Sequence, residues 1–267
     1  MPILGIDYDK CNFCHNCIKA CGSPLFLEVE EKIEFWDPEN QCLLCGHCIA
    51  RCPEDAILYE DIGESYTFED VNNPENILSY EKLLKFLQSH RSIRVYKKDK
   101  VPKNLLEKIV TAMSYAPTAR NMKTQSIRII SNPDEIKMLS DAVKDEFFKK
   151  SSLKETYGQT FSELSKVFNA PIFYDAPHVI LVYSSLDLEF ESNNIANLIT
   201  YGRLAAQSLG VGTCWNGWTQ IAMGLNPNIM KIAKIRGKKV GVFTLGYPNL
   251  KFYRTAPRKH LKVKGLN

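Results

Sequence analysis

Cys11-Asn12-Phe13-Cys14-His15-Asn16-Cys17-Ile18-Lys19-Ala20-Cys21 and Cys42-Leu43-Leu44-Cys45-Gly46-His47-Cys48-Ile49-Ala50-Arg51-Cys52-Pro53 repeat one spacing, C-x2-C-x2-C-x3-C. Eight of the nine cysteines of the chain stand in these two runs. One such motif arises by chance; two in tandem almost never do. Two-residue gaps let a tight loop wrap three thiolates around one cubane and aim backbone N–H groups at its sulfurs, while the fourth cysteine starts a short helix and reaches across to the other cubane. The expected ligands are therefore Cys11, Cys14, Cys17 and Cys52 for one 4Fe–4S cluster, and Cys42, Cys45, Cys48 and Cys21 for the second.

Competing readings of the thiols are weaker. Four disulfides need an oxidising compartment, and Met1–Lys10, with Asp7 and Asp9, lacks the basic-then-apolar pattern of a secretory signal. Zinc sites use C-x2-C pairs at wider separation, not three thiols in each run. His15 and His47 sit between cluster cysteines, but the thiol count is complete without them, so solvated or sulfur-facing loop positions are expected. So small a piece has little core of its own, and the clusters are expected to hold it folded.

Working outward, the charge is split. Residues 1–66 carry four Lys/Arg and 13 Asp/Glu, a net −9; residues 67–267 carry 30 and 17, a net +13. The stretch from Glu60 to Tyr80 mixes acids, Asn72-Asn73-Pro74 and few aliphatics, which suits a linker. The expected organisation is a cluster domain over 1–62, a linker over 63–79 and a larger domain over 80–267. At 45% hydrophobic and 24% charged residues the chain has an ordinary globular composition, and no apolar run approaches the roughly 20 residues of a membrane helix. The basic residues never form a block of five, so no nucleic acid and no membrane are expected as partners. Exposed clusters suit a reducing cytoplasm.

The larger piece reads as α+β. Ser79 suits the cap of a helix to about Ser89, Pro102 opens a helix with Leu105, Leu106, Ile109, Val110 and Met113 on one face, and Pro133 opens another to near Lys150. A further helix is expected over 155–168, and Asn193–Leu209 is helical up to Gly210. Strands are expected at Ser126–Ser131, Val179–Tyr183 and Val240–Leu245, the last two covered on both faces.

Three spots carry more than packing. His90-Arg91-Ser92-Ile93-Arg94 places two guanidiniums and a hydroxyl at a helix exit, where they can grip a phosphate or form a solvated basic turn. Ala116-Pro117-Thr118-Ala119-Arg120-Asn121 exposes backbone to a planar heterocycle or is a plain loop. Gly210 through Trp218 lets backbone approach a ligand closely or is a glycine-bent strand with core tryptophans. Neither G-x-G-x-x-G nor a Walker motif is present, so a separate Rossmann nucleotide domain has no support. Cys214 has no base near it in sequence and reads as a small core residue.

The first 60 or so residues resemble a bacterial-type two-cluster ferredoxin, with Gly22 where the second run has Pro53. Residues 80–262 resemble the nitroreductase family of FMN flavoproteins, through His90–Tyr96, Ala116–Asn121, Leu209–Trp218 and Gly246-Tyr247-Pro248 before a basic tail. That resemblance implies a mixed, mostly antiparallel sheet flanked by helices. It also implies a homodimer with FMN at the interface and a C-terminal arm reaching the partner. Arg91, Ser92 and Arg94 would hold the FMN phosphate and the ribityl or ring edge, with His90 where the family often has arginine. Pro117, Thr118, Ala119 and Asn121 of the other subunit would line the isoalloxazine. Trp215, Asn216 and Gly217 would lie beside the ring, and Arg258, with Arg254 a weaker candidate, matches the late phosphate-binding arginine. Lys123 departs from the family pattern and its role stays open, as does a lid over 150–175.

Together the two resemblances imply a path from reduced ferredoxin, or another low-potential donor, through two clusters to FMN and then to a small acceptor such as a nitroaromatic or quinone. A non-catalytic electron-transfer module serving a partner protein is the alternative.

Overall fold

Ile3, Ile6, Phe26, Ile33 and Ile57 are the inward positions of four short strands, none more than 7% exposed. They are β1 (Ile3–Ile6), β2 (Phe26–Val29), β3 (Lys32–Phe35) and β4 (Ile57–Tyr59), paired antiparallel as β1 with β4 and β2 with β3. They belong to the first of two compact units in a computed structural model that describes residues 2–265. The units are Met1–Ile77 with Thr118–Met122, and Leu78–Pro117 with Lys123–Asn267. Met1 and Asn267, the ends of the expected domains, lie outside the described residues.

The cysteine runs share one backbone path. The residues flanking the second cysteine are left-handed in both: Phe13 (φ 61°) and His15 (φ 60°) around Cys14, Leu44 (φ 51°) and Gly46 (φ 71°) around Cys45. Three of these four carry a Cβ, at about 1–2 kcal/mol each, which ligation of the loop must offset. Two five-residue helices follow, α1 (Asn16–Ala20) and α2 (His47–Arg51). The expectation that each fourth cysteine starts a helix is corrected here. Cys21 and Cys52 end these helices, both extended (φ −77°, ψ 112° and φ −78°, ψ 114°). Pro53 disfavours helical geometry at the residue before it, and Cys21 adopts the same conformation without that help. The unit ends with α3 (Pro74–Ile77), which lies inside the stretch read as a linker.

The second unit opens on α4 (Tyr80–Ser89), whose Lys82 N–H donates to the Ser79 hydroxyl, then α5 (Lys103–Ser114) and β5 (Ser126–Ile130). In α6 (Pro133–Lys149) the Asn132 side chain accepts from the N–H groups of Asp134 and Glu135. Next come α7 (Ser151–Val167), β6 (His178–Ser184), α8 (Glu191–Ser208), β7 (Gly212–Trp215), α9 (Gly217–Leu225), α10 (Asn228–Ile232) and β8 (Lys239–Gly246). The sheet runs β5-β6-β8-β7, antiparallel throughout, with Ile129 opposite Ile180, Val182 opposite Gly241 and Cys214 opposite Thr244.

The apolar run of β6 feeds both faces of the sheet. Val179 and Leu181 pack with Leu139, Val143 and Phe161, while Ile180 and Val182 pack with Ile109, Met113 and Ile199. Alternate side chains of a strand point to opposite faces, so a strand covered on both sides has no polar positions to show. The 150–175 stretch is α7 and a 3-10 turn at Pro171–Phe173, with Phe161, Ile172 and Phe173 fully buried.

Candidate functional site

In the first unit the eight run cysteines line two cavities. One holds Cys11, Cys14, Cys17 and Cys52 against Ile6, Ile33 and Ile57. The other holds Cys42, Cys45, Cys48 and Cys21 against Ile3, Phe26 and Phe35. The structure thus groups the thiols three and one, with the fourth cysteine of each run exchanged. Among the described residues no three His, Cys, Asp or Glu side chains converge on a single point.

Burial pushes the Cys48 thiol up to about 11, the Ile49 N–H opposes this, and Cys45, Cys42 and Cys21 add to it. Burial likewise raises Cys17 and Cys42. Thiols this reluctant to ionise need the positive charge of iron, so ligation and proton release are coupled. Asp37, 3% exposed, accepts the backbone N–H groups of Gln41 at 2.6 Å and Cys42 at 3.0 Å, tying down the start of the second run. Sequence reading missed it, although Asp-Pro at 37–38 is a turn signal. His15 pairs with Glu28 at 3.0 Å, and neither His15 nor His47 is needed as a ligand. Thr118, Ala119 and Asn121 fall in this unit, where the Asn121 amide donates to the Leu44 carbonyl.

In the second unit His90–Arg94 leaves α4 as an extended segment along β7. Ser92 and Thr213 form a parallel bridge, and the Ile93 N–H donates to the Thr213 carbonyl at 2.9 Å. Gly212 permits this approach, since a Cβ there would meet Ile93 Cγ1 at 2.6 Å. The side chains of the segment divide between two cavities. His90, Arg91 and Ile93 line a cavity with Gln207, Gly212 and Thr213. Arg94 lines a second one with Tyr174, Trp215, Asn216, Gly217 and Trp218. Arg91 and Arg94 therefore do not meet at one point. Arg91 Nη1 donates to the carbonyls of Gln88 at 2.9 Å and His90 at 2.5 Å, closing the end of α4, and its guanidinium lies over Phe252.

The first cavity is basic. His90 Nδ1 bonds Gln207 Oε1. Burial lowers the pKa of His90, and the charges of Arg203, Arg258 and Arg91 press it the same way against that bond. Arg258 is exposed, in chain without regular structure. The second cavity is aromatic. Trp218 packs on Phe161 at 4.9 Å and on Tyr174 at 6.1 Å, and the Arg94 guanidinium stands 5.9 Å from the Tyr174 ring. The polar atoms of the Asn216 side chain are taken up by local partners. Its Nδ2 donates to the Ile172 carbonyl at 2.6 Å, and its Oδ1 accepts from the Thr219 N–H and hydroxyl as the cap of α9. Gly217, first residue of α9, has open space where a Cβ would stand.

The remaining positions have local partners. Pro117 accepts the Asn197 amide at 3.1 Å. Lys123 Nζ donates to the carbonyls of Ser114 at 2.5 Å and Ala116 at 2.9 Å, closing the end of α5. Cys214 is buried in β7. Arg203 and Gln207 carried no sequence signal, being polar residues in the last turns of a long helix.

A family model described as the nitroreductase family matches residues 87–247, and one described as a 4Fe-4S dicluster domain matches residues 10–57. A ferredoxin from Methanothermococcus thermolithotrophicus is 36% identical over 58 residues, covering 21% of this chain and 95% of that protein. The Bacillus subtilis (strain 168) protein named "Probable oxidoreductase YjgC" is 31% identical over 85 residues, and this chain spans only 9% of its length. A nitroreductase with bound FMN from Bacteroides fragilis NCTC 9343 is 23% identical, with a TM-score of 0.57 over 70% of this chain and 97% of that one. A second, from Desulfitobacterium hafniense DCB-2, is 19% identical, with a TM-score of 0.56 over 68% and 97%. Both are likenesses of fold.

Proposed function

Because the chain belongs to the nitroreductase family and carries a 4Fe-4S dicluster domain before it, we propose that it is an FMN-dependent reductase supplied with electrons through its two clusters. The observation that carries this reading is the pairing of two cavities along one extended segment. One is basic, around His90 and Thr213; the other is aromatic and carries Arg94. FMN has a matching polarity, a phosphate dianion at one end and a planar ring at the other. Bound FMN exchanges one or two electrons and so joins one-electron clusters to a two-electron acceptor.

The residues divide the work by position. His90 and Arg258 face the phosphate end, with Arg91 beside them as the group that fixes the exit of α4. Ser92, paired to Thr213, lies at the ribityl chain. Arg94 supplies positive charge at the ring edge, and the start of α9 at Gly217, where Asn216 caps only the Thr219 N–H, stands there as the positive end of a helix. Trp215 and Asn216 fix that turn, Asn216 through Ile172 and Thr219. Pro117, Thr118, Ala119 and Asn121 line the ring across a homodimer. The acceptor, a small nitroaromatic or quinone, enters over the exposed ring face, and reduced ferredoxin is the donor to the clusters. The test is anaerobic reconstitution with iron, sulfide and FMN, then turnover of a nitroaromatic and quinone panel driven by reduced ferredoxin. Flavin binding without turnover of any acceptor contradicts the enzyme reading.

A further inference from the structure

Arg203 and Gln207 stand four residues apart on α8 and so share one helix face. That face runs along the segment leaving α4. Gln207 bonds His90, while Arg203 Nε donates to Thr213 Oγ1 at 3.2 Å. Thr213 in turn pairs with Ser92 and accepts the Ile93 N–H. Arg203 does not itself line the basic cavity, but it is tied to Thr213, which does. A guanidinium has five N–H donors, and the bond to Thr213 is the only one the Arg203 guanidinium makes to the described residues. No carboxylate among the described residues pairs with it. A partly buried arginine without a counter-ion is costly unless an anion is bound.

The other cations of this end are committed or exposed. Arg91 closes α4, Arg94 lines the aromatic cavity and Arg258 sits on exposed chain. His90, half-buried among like charges, is held neutral and brings hydrogen bonding without charge.

We propose that Arg203 is the half-buried cation that holds the FMN phosphate, reaching it from α8 beside Thr213, an assignment that rests on the flavin reading above. The bond from Nε to Thr213 leaves the Nη edge free to meet two phosphate oxygens as a fork. Nothing in the sequence resemblance pointed to this position.

The test is titration of the apo chain with FMN and, separately, with riboflavin, which keeps the ring and ribityl chain but lacks the phosphate. Arg203→Met should weaken FMN about tenfold to a hundredfold, the loss of one charge-assisted contact, while riboflavin affinity stays within error. Arg203→Gln should show the same split, which guards against a folding defect in either variant. Adding His90→Arg to Arg203→Met should recover most of the FMN affinity by returning a fork to the same cavity. Unchanged FMN affinity in Arg203→Met, or an equal loss of FMN and riboflavin, overturns the assignment alone. Failure of the unaltered chain to bind FMN overturns the flavin reading and this inference with it.

Discussion

Cys21 shares a cavity with Cys48, although it stands in the same run as Cys17. The crossing ties the two runs into one object: neither cavity has four thiols without the other run. Loss of Cys21 should therefore damage the same cluster as loss of Cys48. Cys21→Ser and Cys48→Ser should alter one component of the reduced-cluster EPR spectrum, and Cys52→Ser and Cys17→Ser the other. About eight irons per unaltered chain are expected, from two cubanes of four. Pairing of Cys21→Ser with Cys17→Ser in this assay contradicts the exchange.

Asp37 is the residue that fixes the second run. Asp37→Ala leaves the N–H groups of Gln41 and Cys42 without their acceptor. A lost acceptor of this kind costs about 1–3 kcal/mol. The expected outcome is faster iron loss to a chelator, with Asp37→Asn intermediate because it retains one acceptor oxygen.

Stability of the second unit should fall as pH drops below about 6.5, the ordinary histidine value. His178 is 2% exposed, and its Nε2 accepts the Val101 N–H at 3.0 Å, so that nitrogen must be unprotonated. Nδ1 then donates to the Ser131 hydroxyl at 2.7 Å. Burial holds its pKa below the ordinary value, with Lys100 pressing the same way. The unfolded chain therefore takes up a proton that the folded one refuses, and stability present above 6.5 is lost on the way down. Lowered Glu135, Glu146 and Glu191 lose stability in the same direction, but only below 4.5, their ordinary value. The check is thermal unfolding of unaltered chain and His178→Asn from neutral pH down to 4.5. The variant should melt lower at neutral pH and show a flatter slope; equal slopes contradict the role of His178.

The basic tail has no regular structure among its described residues, and Tyr253 and Leu261 are 90% and 89% exposed. Its proposed place is on a second copy of the chain. Deleting 249–267 should lower FMN occupancy and the dimer fraction together, measured by absorbance and sedimentation. A truncated monomer that keeps FMN at micromolar concentration contradicts that.

The sequence was most legible where chemistry imposes spacing. The cysteine runs, the cap at Ser79, the opening of α6 at Pro133, the apolar run of β6 and the turn at Gly210 all read directly into structure. The helices α9 and α10 were missed because nine and five residues, one group lying directly after a strand, show too little periodicity. Arg203, Gln207 and Thr213 were illegible for another reason. Each is an ordinary polar residue of its own element, and their proximity exists only once α8, β7 and the exit of α4 are packed together. Arg91 and Arg94 were read as one grip because the sequence does not show that the exit of α4 is extended, which puts residues three apart on different sides.

In the proposed path electrons reach the flavin through the clusters. Its most direct measurement is stopped-flow bleaching of bound FMN by reduced ferredoxin, in unaltered chain and in a Cys17→Ser/Cys48→Ser double variant that retains FMN. Bleaching in the unaltered chain that is lost in the variant, while dithionite still reduces the flavin of both, is the expected result. Equal bleaching of the two by ferredoxin, or faster bleaching of the unaltered chain by NADH or NADPH than by ferredoxin, contradicts it.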